Sequence, residues 1–260
     1  YSFGTWSGDA TGSTNPITIT INGNKAITAN FIQNAYTLTT MAANGTVTRS
    51  PDQASYTYGT TVTLTAAAST GYSFGSWSGD LTGSTNPVTI TINGNKAITA
   101  NFSQNTYTLN AIATGGTVTK NPDKTLYSHG ESVVLTVVPA VGKSFTAWSG
   151  DLSGSTNPVT LVMNANKSVS AACSAKICTL TVTSANGTVT KSPNQTSYTY
   201  GTTVTLTAAA NTGYSFGSWS GDAAGTANPV TITLDNDKAV TANFTQNTYT
   251  LTTTASNGTI

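Results

Sequence analysis

Apolar and polar residues alternate along most of the chain. In TTVTLTAAA (60–68), Val62 and Leu64 share one side while Thr61, Thr63 and Thr65 take the other. VTITI (88–92) groups Val88, Ile90 and Ile92, and KAITANF (96–102) groups Ile98, Ala100 and Phe102. A period of two places alternate side chains on opposite faces of an extended strand, so these segments predict half-buried strands with threonine outward. NGN (93–95) predicts a tight hairpin turn between the last two strands, because glycine takes a positive φ without steric cost. YTLTTMAANGTVTRSP (36–51) predicts another hairpin about Asn44-Gly45, and YGT (58–60) and GYSFGSWSG (71–79) supply a further turn and strand. No segment carries a helical period, so the expected class is all-β.

The pattern repeats. Trp6, Trp77, Trp148 and Trp219 stand 71 residues apart, and so do Asn15-Pro16, Asn86-Pro87, Asn157-Pro158 and Asn228-Pro229. No insertion or deletion breaks the phase. A solenoid coil takes roughly 20–45 residues, so a period of this length reads as tandem small domains, each with its own core. Boundaries in the polar stretches after Phe31, Phe102 and Phe244 give complete repeats at 36–106, 107–177 and 178–248. Residues 1–35 then read as the second half of a repeat and 249–260 as the first hairpin of another. The expectation is a window of a longer array, whose gene continues upstream of Tyr1 with the missing half. The other reading is a head-to-tail polymer in which strand exchange between chains completes the halves. The expected architecture is five to six strands per repeat, sandwich or β-grasp-like, in a semi-rigid rod. Compact-domain scaling sets an advance of about 30–40 Å per repeat.

Composition narrows the function. Only 7% of residues are charged and the formal net charge is +1, against about 25% charged in a typical soluble chain. Ten Lys and Arg spread thinly form no basic patch, which argues against nucleic acid. No apolar run approaches the roughly 20 residues of a membrane helix.

The ordered string YTLTTMAANGTV, YTYGTTVTLTAAASTGYSFGSWSGD, NPVTITINGNKAITANF resembles the divergent internalin B-repeat family of bacterial surface proteins. The resemblance covers the whole chain. It implies small β-rich modules strung along secreted or wall-attached proteins as spacers or adhesive stalks, and it offers no catalytic motif. The repeat 107–177 departs from it: Lys143, His129, Cys173 and Cys178 stand where the others carry aromatics.

The fixed acid of each repeat is the Asp of W-S-G-D: Asp9, Asp80, Asp151 and Asp222. Acid–base catalysis needs a second positioned group, and calcium usually needs several carboxylates. These aspartates are therefore expected to cap their own turns by accepting from N–H groups one or two residues ahead. His129, the only histidine, occupies the slot of Tyr58 and Tyr200 and reads as a substitution. No nucleophile–base set, zinc spacing or phosphate loop is present, so neither enzyme activity nor a metal or other cofactor is expected. The four tryptophans are expected in the core, with Tyr56, Tyr58 and Tyr72 as the exposed rings that could stack on sugars. Sequons at Asn44 and Asn186 sit in Asn-Gly turns.

Cys173 falls in the slot of Phe31, Phe102 and Phe244, and Cys178 in that of Tyr36, Tyr107 and Tyr249. The joint replacement predicts that these aromatics touch across each junction and that Cys173 and Cys178 form a disulfide. Such a short ring is worth about 2 kcal/mol on the chain-entropy model, and it implies an oxidising compartment. The expected function is a structural stretch of an extracellular or cell-surface fibre or stalk. Its expected partners are neighbouring repeats and other copies in a filament. A multivalent carbohydrate-binding array is the alternative.

Overall fold

The computed structural model describes residues 1–258. Ten strands form in the first 105 residues: β1 (Ser2–Gly8), β2 (Ile27–Ile32), β3 (Ala35–Tyr36), β4 (Leu38–Ala42), β5 (Gly45–Ser50), β6 (Tyr56–Thr57), β7 (Thr61–Ala68), β8 (Tyr72–Gly79), β9 (Val88–Thr91) and β10 (Lys96–Gln104). All named elements are strands. The chain divides into two compact units. One holds Tyr1–Thr108 with Leu126–Glu131 and Val162–Asn166; the other holds Leu109–Thr125, Ser132–Leu161 and the residues from Lys167 onward.

In the first unit, the repeat 36–106 builds two three-stranded sheets, ordered β4-β10-β8 and β5-β7-β9, with β3 and β6 as a small pair. Their inner faces close on one core: Leu38 from β4, Val62, Leu64 and Ala66 from β7, Trp77 from β8, and Ile98 and Ala100 from β10, with Ile92 and Tyr56 between. This is a sandwich. A β-grasp would lay a helix on the sheet, and no helix is present among the described residues. Outward threonines of the second sheet sit opposite one another, Thr48 with Thr65 and Thr61 with Thr91. The Thr63 and Thr89 hydroxyls are 3.1 Å apart.

Both expected hairpins are absent. β4 pairs with β10 and β5 with β7, so the Asn44-Gly45 turn hands the chain from one sheet to the other. The 93–95 turn likewise joins β9, which pairs with β7, to β10 in the opposite sheet. Alternation marks which face of a strand is buried, and the two strands of an arch bury facing sides as readily as the two strands of a hairpin share one.

In the second unit, Leu180–Ser184, Lys238–Gln246 and Tyr214–Gly221 form one sheet of the repeat 178–248, and Gly187–Ser192, Thr202–Ala210 and Val230–Leu234 the other. Leu180, Val204, Leu206, Trp219, Leu234 and Val240 fill the space between. The repeat 107–177 keeps the first sheet as Leu109–Thr114, Lys167–Ala175 and Lys143–Gly150. Of the segment 249–260, where a hairpin is expected, residues 249–258 hold no strand and the last two residues lie outside those described.

Candidate functional site

Each complete repeat joins its first and last long strands side by side. β4 runs parallel to β10, with Leu38 opposite Lys96 and each following residue in step to Ala42 opposite Ala100. The repeat 107–177 pairs Leu109 with Lys167 through Thr114 with Ala172, and 178–248 pairs Leu180 with Lys238 through Ser184 with Ala242. β10 becomes the central strand because Ile98 and Ala100 are fully apolar on the inner face while its two edges bond β4 and β8.

The preceding turn extends this ladder. Lys96 N–H donates to the Thr37 carbonyl at 2.9 Å, and Thr37 N–H donates to Asn95 Oδ1 at 2.9 Å. In 178–248 the acceptor is a carboxylate, Asp237 Oδ1, 2.7 Å from Thr179 N. That N–H holds the Asp237 carboxyl below its ordinary value. Lys238 reaches Asp235 at 2.9 Å; the ion pair lowers the Asp235 carboxyl and raises the Lys238 ammonium.

The W-S-G-D segment closes a loop at both ends. Trp77 N–H donates to the Gly83 carbonyl at 2.7 Å and its Nε1 to the Thr85 carbonyl at 2.9 Å. The ring is 3% exposed and lies 5.1 Å from Phe74. Trp148 and Trp219 repeat this geometry, donating to Thr156 and Ala227. Trp6 keeps the bond, to Thr14, but is only half-buried. The aspartates do not cap their own turns. Asp80 Oδ2 accepts from Ala97 N at 2.7 Å, and Asp80 N–H donates back to the Ala97 carbonyl at 3.0 Å. Asp9, Asp151 and Asp222 bind Ala26, Ser168 and Ala239 in the same way. The carboxylate reaches across because Gly79, at φ 92°, brings the backbone directly against the Ala97 carbonyl, where any Cβ would collide. Among the described residues, no three of His, Cys, Asp and Glu come together to hold a metal ion.

The junction aromatics are divided between repeats rather than packed on one another. Phe102 lies 5.8 Å from Phe74, edge to face, within its own repeat; Phe31 pairs with Phe3 and Phe244 with Phe216. Tyr36 faces Tyr58 at 6.4 Å and Tyr107 faces His129 at 6.0 Å, both inside the repeat that follows. Tyr249 is exposed. The expected disulfide fails for the same reason. Cys173 and Cys178 are free, buried thiols. Cys173 is paired opposite Phe145, with its sulfur over Gly116. Cys178 is opposite Tyr198, in the core of 178–248. Strand alternation and the intervening linker send the two side chains into different cores.

The actual junction lies at two glycines that the sequence reading passed over. Asn105 N–H donates to the Gly71 carbonyl at 2.8 Å, and its own carbonyl accepts from His129 N at 2.9 Å. Lys176 makes the same relay between Gly142 and Tyr200, at 2.8 Å on each side. Gly71 has φ 82° and Gly142 φ 72°, and the rings of His129 and Tyr200 occupy the space a Cβ would need. His129 is therefore a contact residue of the junction. The recurrence of glycine at 71, 142 and 213 was the available signal. Tyr56, expected exposed, is 1% exposed: its hydroxyl donates to the Pro51 carbonyl and accepts from Gln53 N. Tyr72 is half-buried, and Tyr58 remains 64% exposed.

These features define a tandem all-β repeat protein whose sandwiches are linked by short hydrogen-bonded connections. The chain belongs to the divergent InlB B-repeat domain family, whose sequence profile matches residues 1–35, 36–106, 107–176 and 178–248. Among curated proteins no sequence match is found. A solved structure, the Bacillus anthracis TIE protein, superposes at TM-score 0.34 with 6% identity, over 84% of this chain and 51% of that one. The chain thus spans about half the length of that structure.

Proposed function

We propose that this chain is a non-enzymatic spacer of a bacterial surface protein, a stretch of extracellular fibre or stalk that transmits tension between its ends. The carrying observation is the parallel pairing of β4 with β10. Force enters a repeat at the start of β4 and leaves at the end of β10. In a parallel pair those pulls run in opposite directions along the strands, so the ladder is loaded in shear. Its bonds must then break together, whereas an antiparallel pair pulled from one end opens one bond at a time. Membership of a family of surface repeats supports the extracellular setting.

Single-molecule pulling through the chain ends tests the proposal. Each complete repeat should unfold as one event, lengthening the chain by somewhat under about 250 Å at 3.3–3.6 Å per residue. Handles at Tyr72→Cys and Gln104→Cys, residues opposite each other at one end of the antiparallel β8–β10 pair, should unzip the repeat at clearly lower force. Equal forces in the two geometries would overturn the tension-bearing role.

A second reading, repeated carbohydrate binding, draws on Tyr58, whose exposed ring stands 6.4 Å from Tyr36. Glycan-array binding that disappears in Tyr58→Ala would favour it over a purely structural role.

A further inference from the structure

The turn that leads into the last strand of each repeat differs in one chemical respect. It reads Asn22-Gly23-Asn24, Asn93-Gly94-Asn95, Asn164-Ala165-Asn166 and Asp235-Asn236-Asp237. The fourth copy carries carboxylates at both slots where the others carry amides. The structure accommodates both: Asp235 pairs with Lys238, and Asp237 accepts the N–H that an asparagine accepts elsewhere. Lys25 and Lys96 stand in the Lys238 position of the first two copies.

We propose that Asn22–Gly23 and Asn93–Gly94 are sites of spontaneous deamidation, which places a carboxylate at the first slot of these turns, where 178–248 carries Asp235 from the start. The Gly94 backbone nitrogen attacks the Asn93 side-chain carbonyl carbon. A five-membered imide forms, and the side-chain nitrogen leaves as ammonia with the proton of the attacking amide. Water then opens the ring at either carbonyl, giving aspartate or isoaspartate. Ring closure needs an unhindered nitrogen and a peptide plane free to turn. Nothing lies within 4 Å of where a Cβ would stand on Gly23 or Gly94, and both asparagines are exposed. Neither glycine belongs to a strand.

The Asn44–Gly45 and Asn186–Gly187 turns have the same dipeptide in the opposite circumstances. Gly45 pairs with Ala68 and Gly187 with Ala210. The rings of Phe102 and Phe244 press on them where a Cβ would stand. Both asparagines are held at positive φ, 65° and 67°. These two sites are protected by the fold. Asn257–Gly258 shares the positive φ, 73°, but has open space at Gly258 and lies outside any strand, so it meets only part of either description. Conversion at residues 22 and 93 alone moves the formal net charge from +1 to −1, since +1 − 2 = −1.

The test is peptide mapping by mass spectrometry of the folded chain aged in mildly alkaline buffer, beside a urea-unfolded sample. In the folded chain, peptides holding Asn22 and Asn93 gain one mass unit while those holding Asn44 and Asn186 do not. In urea all four convert at similar rates. Gly94→Ala slows conversion at residue 93 alone, because its methyl shields the attacking nitrogen. Conversion of Asn44 or Asn186 in the folded chain as fast as Asn93 would overturn the proposal. So would an Asn93 that converts only after unfolding.

Discussion

Residues 1–35 and 72–106 carry nearly the same sequence and do not fold alike. ITITI (17–21) and VTITI (88–92) have the same alternation, yet only the second holds a strand, β9. Ile92 is fully buried while Ile21 is 71% exposed. The partner of β9 is β7, and residues 1–35 contain no counterpart of β7. What survives in 1–35 is the closure made within the segment: β1 still pairs with β2, Trp6 still bonds Thr14, and Asp9 still bonds Ala26. Local hydrogen bonds thus form from 1–35 alone, whereas burial of the Ile face needs the second sheet.

That contrast is most exposed to test at the tryptophans. Trp77→Ala should cost about 3–5 kcal/mol, the range for emptying a core aromatic site, and half-buried Trp6→Ala clearly less, read from urea unfolding. Equal costs would mean that 1–35 has a full core after all. Ile92→Ala should cost about 2–5 kcal/mol, and Ile21→Ala should stay within about 0.5 kcal/mol, as surface changes do. Hydrogen exchange should run in parallel, with amides of 17–21 exchanging fast and those of Val88, Ile90 and Ile92, which face β7, protected.

A smaller effect separates backbone strain from collision. Gly79→Ala meets the Ala97 carbonyl, whereas Gly83 has a comparable positive φ and open space around it. Both should lose about 1–3 kcal/mol for the unfavourable φ, with Gly79→Ala the worse of the two by thermal unfolding. The smallest effect lies in the Asp237 turn. Its carboxyl is held below its ordinary value in the folded state, so its stabilising contribution is present above the unfolded value and fades as pH falls through the folded one. The stability difference between the wild type and Asp237→Asn should therefore shrink on acidification below about pH 4. A difference constant down to pH 2 would show that the Thr179 contact favours neither form.

How much could be read beforehand depends on what a one-dimensional pattern encodes. Alternation located β7, β9 and β10 to within a residue or two, because burial of one face leaves a period of two. The same alternation could not say which strand pairs with which. Asn44-Gly45 looked like a hairpin and is an arch, since both need the same positive φ. Cys173 and Cys178 looked like a bonded pair because together they replace the two aromatics that flank a junction. Direction of the side chain, which the linker reverses, was invisible. The partner of Asp80 lies 17 residues on, beyond any local turn rule. The glycines at 71 and 142 were visible as a recurrence, but the rings that fill their open side come from the next repeat.

The sequence by itself determined the period, the strand segments, their inner faces and the tryptophan of each core, all of which follow from local spacing of apolar side chains. Only the tertiary structure decided the parallel pairing of first and last strands, the separation of the two cysteines and the relay through Asn105 and Lys176. Those depend on which distant backbone groups meet once two sheets close on one core, and no local rule fixes that choice.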